Sequence, residues 1–102
     1  IRMVEVEKAE VRRQMTLELS DAYQSLRQAS LAVKSLNDRL LPAAQTTLDE
    51  TQTGYQRGQF SLQAVLGSRE ALFEIRQQQF DAISQYLKAK TQIENLTQSV
   101  SL

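Results

Sequence analysis

The side chains from which a reactive centre could be built are few in this chain. Histidine and cysteine are both absent from its 102 residues. That removes the commonest general base, the commonest metal ligand and every thiolate. Ser20-Asp21, Ser61 and Ser68-Arg69 offer hydroxyls, but a serine nucleophile needs a base to take its proton, and no imidazole exists to do so. Asp49-Glu50 and the pair Glu70 and Glu74, one helical turn apart, could hold a cation weakly. A useful oxygen site needs more ligands than two, so solvated helix surface is the better reading. Met3 and Met15 are too far apart along one helix to form a soft copper or silver site. No glycine-rich phosphate loop is present. These residues argue for a chain that is not an enzyme and carries no cofactor or metal.

The remaining question is what kind of body such a chain builds. Lysine plus arginine equals aspartate plus glutamate at 12 each, and no like-charge run exceeds Arg12-Arg13. A balanced, scattered charge leaves no footprint for nucleic acid or anionic lipid. No apolar run approaches the roughly 18 residues of a membrane-spanning helix. The length suits one small domain. The chain opens at Ile1 rather than methionine, which is read as a processed product or an excised piece of something larger. Proline occurs once and glycine three times, while Ala, Leu, Gln, Glu, Lys and Arg dominate. That is the profile of long helices or coiled coil, so an all-α fold is expected.

Two arms follow from the periodicity. In the first, residues 3–53, Met15, Leu19, Ala22, Leu26, Ala29, Val33, Leu36, Leu40, Ala43 and Thr47 alternate steps of four and three, the mark of a left-handed coiled-coil seam. The charged segment ahead of it, Glu5 to Arg13, reads as a solvated or frayed helix start. Pro42 lies inside the heptad, where it removes a donor and crowds the carbonyl of Asp38. Either the arm kinks there or a new helix starts with Asn37-Asp38 as its cap. Because the pattern runs on in phase through Ala43 and Thr47, a kinked but continuous arm is expected. Some 50 residues at about 1.5 Å each span roughly 75 Å.

In the second arm, residues 62–98, apolar rows run side by side. Leu66, Phe73, Phe80 and Leu87 form one. A second consists of Val65, Leu72, Tyr86, Ile93 and Val100, interrupted by Gln79, and a third of Ile75, Ala82, Ala89 and Leu96. Leu19, Leu26, Val33, Leu36 and Leu40 are expected to pack the hairpin against Leu66, Phe73, Phe80 and Leu87. A helix that meets only its hairpin partner needs one narrow seam. This one has apolar surface to spare, which points to a bundle or to a neighbour on each side.

Between the arms lies the tip, residues 54–61. Gly54 and Gly58 permit positive φ and can end the first helix. Ser61 is a good N-cap for a helix beginning at Leu62, although Ala64 leaves the capping box incomplete. Tyr55 and Phe60 either staple the helix ends together, the commoner behaviour of aromatics at a turn, or face a lumen or a docking partner.

Leu40-Leu41-Pro42-Ala43-Ala44, Gly54-Tyr55, Tyr55-x-x-Gly58-x-x-Ser61, Val65-Leu66, Ala71-Leu72-Phe73, Tyr86 and Ile93-Glu94-Asn95-Leu96-Thr97 together resemble the outer-membrane efflux protein family. These are the TolC-like channels, and the flavour is that of the CzcC and CusC metal-efflux outer-membrane factors. The resemblance runs from about Glu5 to Thr97. It implies a trimeric channel whose protomers each carry β-barrel strands and two long helical hairpins that close into an α-barrel across the periplasm. By that likeness this chain is the second hairpin, in the periplasmic part of a Gram-negative outer-membrane protein. The membrane would be reached only through a parent β-barrel outside this sequence.

The implied partners are the other protomers and a periplasmic adaptor (membrane fusion) protein of a tripartite pump. The tip residues Tyr55, Gly58, Phe60, Ser61 and Leu62 would gate the tunnel and dock that adaptor. Tyr55 matches a tyrosine of the closed constriction and Gly58 matches the tip glycine. Phe60 stands where some members carry a gating arginine, and Ala64 where many carry aspartate. The resemblance therefore implies an apolar gate of Tyr55 and Phe60 rather than a salt-bridged one. The alternative, from pattern alone, is a free-standing coiled-coil interaction module or a self-associating helical bundle.

Overall fold

The computed structural model describes residues 2–101, with side chains for residues 3–98. It is an antiparallel hairpin of two long helical arms measuring 82 × 19 × 14 Å. The first arm is α1 (Arg2–Ser35), a π-helical turn (Leu36–Leu40) and α2 (Leu41–Gln56), and the second is α3 (Leu62–Ser101). Among the described residues there is no strand. The all-α hairpin expected from composition and period is what forms. Both arms overrun the sequence boundaries, because Gly54 to Gln56 complete the last turn of α2 and α3 continues to Ser101.

The seam of α1 follows the heptad. Ala22, Ala29 and Leu36 are buried, and Met15, Leu19, Leu26 and Val33 are half-buried between them. Ala22 retains only 1% of its surface and Ala89 of α3 only 3%. Small side chains at these positions let the two backbones approach closely. The segment Glu5–Arg13 is helical and wholly exposed, as a charge-rich start should be.

Beyond Leu36 the expected phase fails. Leu40, Ala43 and Thr47 are exposed, while Leu41 is half-buried and Ala44 and Leu48 are buried. The π turn accounts for the shift. The Leu41 amide donates to the Leu36 carbonyl, five residues back, so one extra residue is absorbed and the seam advances by one position. Pro42, at the start of α2, sits where its missing donor and its ring are best tolerated. The wider turn eases the crowding that a proline imposes on the preceding turn. Asn37 and Asp38 do not cap a new helix; neither the π turn nor α2 has a side-chain cap bond. Thus the arm is continuous, and it changes register instead of holding phase.

The seam of α3 is also different from expectation. Val65, Leu72 and Ala89 are buried and Ala64, Ser68, Ile75, Gln79, Ala82, Tyr86, Ile93 and Leu96 half-buried. The second and third of the three rows therefore interleave as the seam. Leu66, Phe73, Phe80 and Leu87 do not pack the hairpin; they are 52%, 61%, 69% and 54% exposed. The cause is geometric: positions spaced three and four apart stay on one face, and Val65-Ser68-Leu72-Ile75 satisfy that spacing as a pair of rows, while the Phe73 row alone lies about 100° away. Val100, counted in the second row, has a side chain outside the described residues. In the tip half, Ala44, Leu48, Val65 and Leu72 form one buried cluster with Leu41 and Ile75 packed against it.

Two polar bridges mark the level at which the arms face each other. Thr51 donates from its hydroxyl to Ser68 Oγ at 3.0 Å, and Ser68 in turn donates to the Ala64 carbonyl at 3.0 Å. Gln79 Nε2 donates to Asn37 Oδ1. The glutamine that interrupts the apolar row thereby meets Asn37 of the π turn.

Candidate docking tip

The chain reverses at Arg57–Ser61, and the reversal is a pair of complementary caps. Arg57 is the last half-helical residue, with φ −89° and ψ 1°. Gly58 follows at φ +76°, alone among the described residues in having a positive φ. The Gly58 amide donates to the Tyr55 carbonyl at 3.0 Å and the Gln59 amide to the Gly54 carbonyl at 2.7 Å. This is a Schellman motif, which satisfies carbonyls that the helix end would leave unpaired. Gly58 performs the task expected of either glycine, and Gly54 does not, since it is helical and buried.

Gly54 has a different use. A Cβ there would fall 2.1 Å from Cδ2 of Phe60, so the missing side chain is the seat of the phenyl ring. The Phe60 amide also reaches the Gly54 carbonyl at 3.3 Å. Phe60 is consequently both staple and surface: one side rests on Gly54, and 48% of the residue remains exposed. The sequence signal for this seat is the glycine–aromatic spacing Gly54…Phe60, which the turn reading passed over.

Ser61 caps α3 as its residue type foretold. Its Oγ accepts from the Ala64 amide at 3.2 Å, and its carbonyl is 3.1 Å from the same nitrogen. The absent capping-box glutamate is no obstacle, because this bond comes from the backbone of the third helical residue.

Of the five tip residues singled out in the sequence, Gly58 and Ser61 shape the turn, and Tyr55, Phe60 and Leu62 are its apolar exposed surface. They do not form one patch around a pocket. An open groove of about 340 Å³ is bordered by Tyr55, Leu62, Leu66 and Arg69. Another, of about 410 Å³, is bordered by Phe60, Asp49, Glu50 and Arg57. Both are shallow and open to solvent. The carboxylates considered for cation binding, Glu70 and Glu74, are exposed on α3. Among the described residues no three acidic side chains converge. Among the same residues no helix is long and apolar enough to cross a membrane.

Compared with protein-family models, with curated proteins and with solved structures, the chain matches none.

Proposed function

We propose that this chain is a periplasmic α-helical hairpin of a TolC-like outer-membrane channel, part of a tripartite efflux pump, with the tip serving to gate the tunnel and dock an adaptor protein. The observation that carries the reading is the row Leu66, Phe73, Phe80 and Leu87. It runs along α3 outside the hairpin seam and stays more than half exposed. A rod 82 Å long with one seam closed and a second apolar stripe left open has the surface of a stave: it is complete only with further helices beside it. The residue-level likeness at Tyr55, Gly58 and Ser61 supplies the family, and the exposed Tyr55, Phe60 and Leu62 supply the contact surface at the rod's end. In this reading the protein works without catalysis or cofactor, its partners are the remaining protomers and the adaptor, and its site is the periplasm.

The test uses the full-length parent in a Gram-negative host lacking its own efflux channel. Tyr55→Ala is expected to change resistance to exported metal ions or toxic compounds, or the closed-state conductance, while trimers still form. Gly58→Pro should do the same more strongly, since a φ of +76° is closed to proline. Wild-type resistance and conductance in both variants refute the assignment of the tip. The exposed stripe also favours a second reading, a coiled-coil interaction module or self-associating bundle. Amphipathic strands of about ten residues and a second hairpin elsewhere in the natural gene support the channel over that module.

A further inference from the structure

The interruption at Leu36–Leu40 belongs to one arm only. The Leu41 amide is given to the Leu36 carbonyl, and Pro42, the next residue, has no N–H to give. The Asn37 carbonyl thereby loses both amides, four and five residues on, that could have continued the ladder. Bending the first arm here breaks fewer backbone bonds than bending it within α1 or α2. Opposite it, α3 runs without a break from Leu62 to Ser101 and contains no proline.

The seam is held differently on the two sides of this point. On the tip side Leu48, Val65 and Leu72 are buried in one cluster with Ala44, and Thr51 is bonded across to Ser68. On the base side the buried residues are Ala22, Ala29 and Ala89, while Leu19, Leu26, Val33 and Tyr86 are only half-buried. An alanine brings a single methyl to the seam where a leucine or valine brings a branched chain, so the base side gains less from each buried position. At the border, Gln79 of the unbroken arm donates to Asn37 Oδ1 of the π turn. That bond is a clasp, in an exposed position, tying the interrupted arm to the straight one.

We propose that the π turn and Pro42 form a hinge from which α1 swings away from α3 as one unit, while α2 stays paired with the first half of α3. In this arrangement α1 is a strap, held along its length by alanine-sized contacts and at its root by the Asn37–Gln79 bond. Its opening bares the seam of α1 and the part of the α3 seam opposite, and leaves the Gly58 turn and the Leu48–Val65–Leu72 cluster closed. Such a sub-global opening lies below global unfolding in free energy because it gives up only the weaker half of the seam. It does not rest on the channel reading, since it is a motion within one chain and needs no neighbour, tunnel or adaptor.

Native-state amide hydrogen exchange on the full chain at low concentration tests the hinge. Residues 19–35 and 80–93 should exchange through one shared opening, and residues 44–56 and 62–75 should be at least about tenfold better protected, with the step on the first arm falling within residues 36–42. Equal protection along both arms overturns the inference. So does protection that declines smoothly from the tip to the chain ends, which is fraying without a hinge. Gln79→Ala, which removes the clasp, should make the base-side opening about two- to tenfold more frequent and leave the tip side unchanged. An equal change on both sides means one cooperative unit and overturns it. Deleting Arg39 together with Pro42→Ala restores an unbroken helix, so the step should vanish; wild-type helical circular dichroism is checked first, and a step that persists in the mended arm shows that the π turn is not its cause. Each of these results is independent of the efflux assay on the parent, so the two proposals fail separately.

Discussion

The two arms of the hairpin treat the heptad differently. α3 holds one phase from Val65 to Leu96, with every half-buried or buried position three or four residues from the last. The first arm holds phase only to Leu36, absorbs an extra residue in the π turn, and resumes one position later at Leu41, Ala44 and Leu48. Both arms nevertheless bury a continuous seam. What differs is where the irregularity sits, and the comparison shows that side-chain burial sets the helical register, with backbone geometry yielding to it. A π turn sacrifices regular hydrogen bonding locally. Holding α geometry through Leu40 would instead have put Ala43 and Thr47 on the seam and driven Leu48 into water. Full exposure of a buried leucine costs roughly 1.5–3 kcal/mol.

The sharpest way to break this comparison uses neighbours in sequence on the regular arm. Leu72 is 7% exposed and sits in the tip-half cluster, and Phe73 is 61% exposed. Leu72→Ala should destabilise the hairpin by about 3 kcal/mol through lost burial and the cavity left behind. Phe73→Ala should change the stability of a dilute, monomeric chain by less than about 0.5 kcal/mol. Urea midpoints at low concentration measure both. Equal losses would mean that the Phe73 row packs the hairpin after all.

How much of this was legible in the sequence follows from the same contrast. The helices, their pairing and the tip were readable, because long stretches without glycine or proline and a Gly58…Ser61 pair of stop and start signals act locally. The α1 seam was readable too, since Ala22, Leu26 and Ala29 obey one period without a competitor. The choice among three rows on α3 was not, because Leu66, Phe73, Phe80 and Leu87 are as apolar as the rows that win, and selection depends on the partner arm. Nor was the register shift at Pro42. Leu40 and Leu41 are adjacent leucines, and Ala43 and Ala44 adjacent alanines, so the apolar pattern fits either phase until Leu48 and Thr47 are weighed against each other. Gly54 was misassigned because a glycine near a helix end signals a cap, and nothing local says that an aromatic six residues on will use its missing side chain.

The second way concerns the irregular arm. Deleting Arg39, an exposed residue of the π turn, brings Leu41, Ala44 and Leu48 into α-helical phase with Leu36. With Pro42 retained, that restored α-helix has a proline in its interior and should lose about 3 kcal/mol. With Pro42→Ala added, the loss should vanish and the helix run uninterrupted. The comparison is read from unfolding midpoints and from amide protection at residues 36–42. If the deletion costs the same with alanine at 42, register is not what the extra residue serves.

The smallest effect expected is at the start of the regular arm, and it sharpens the comparison by testing an end instead of a seam. Ser61 accepts from the Ala64 amide at 3.2 Å in a fully exposed turn. Ser61→Ala removes that acceptor, and an N-cap of this kind is worth about 1 kcal/mol. Because the turn is already held by the Gly58 and Gln59 amides on the α2 side, the loss should appear as faster amide exchange confined to residues 62–65, with the α2 carbonyl ladder unaffected. Ser61→Asp, which keeps an acceptor and adds a favourable charge at the helix N-terminus, should restore or exceed wild-type protection. Faster exchange spreading to Thr53–Gln56 in the alanine variant would instead show that the two caps form one cooperative unit, and that the phase of α3 is set at the turn and not along its seam.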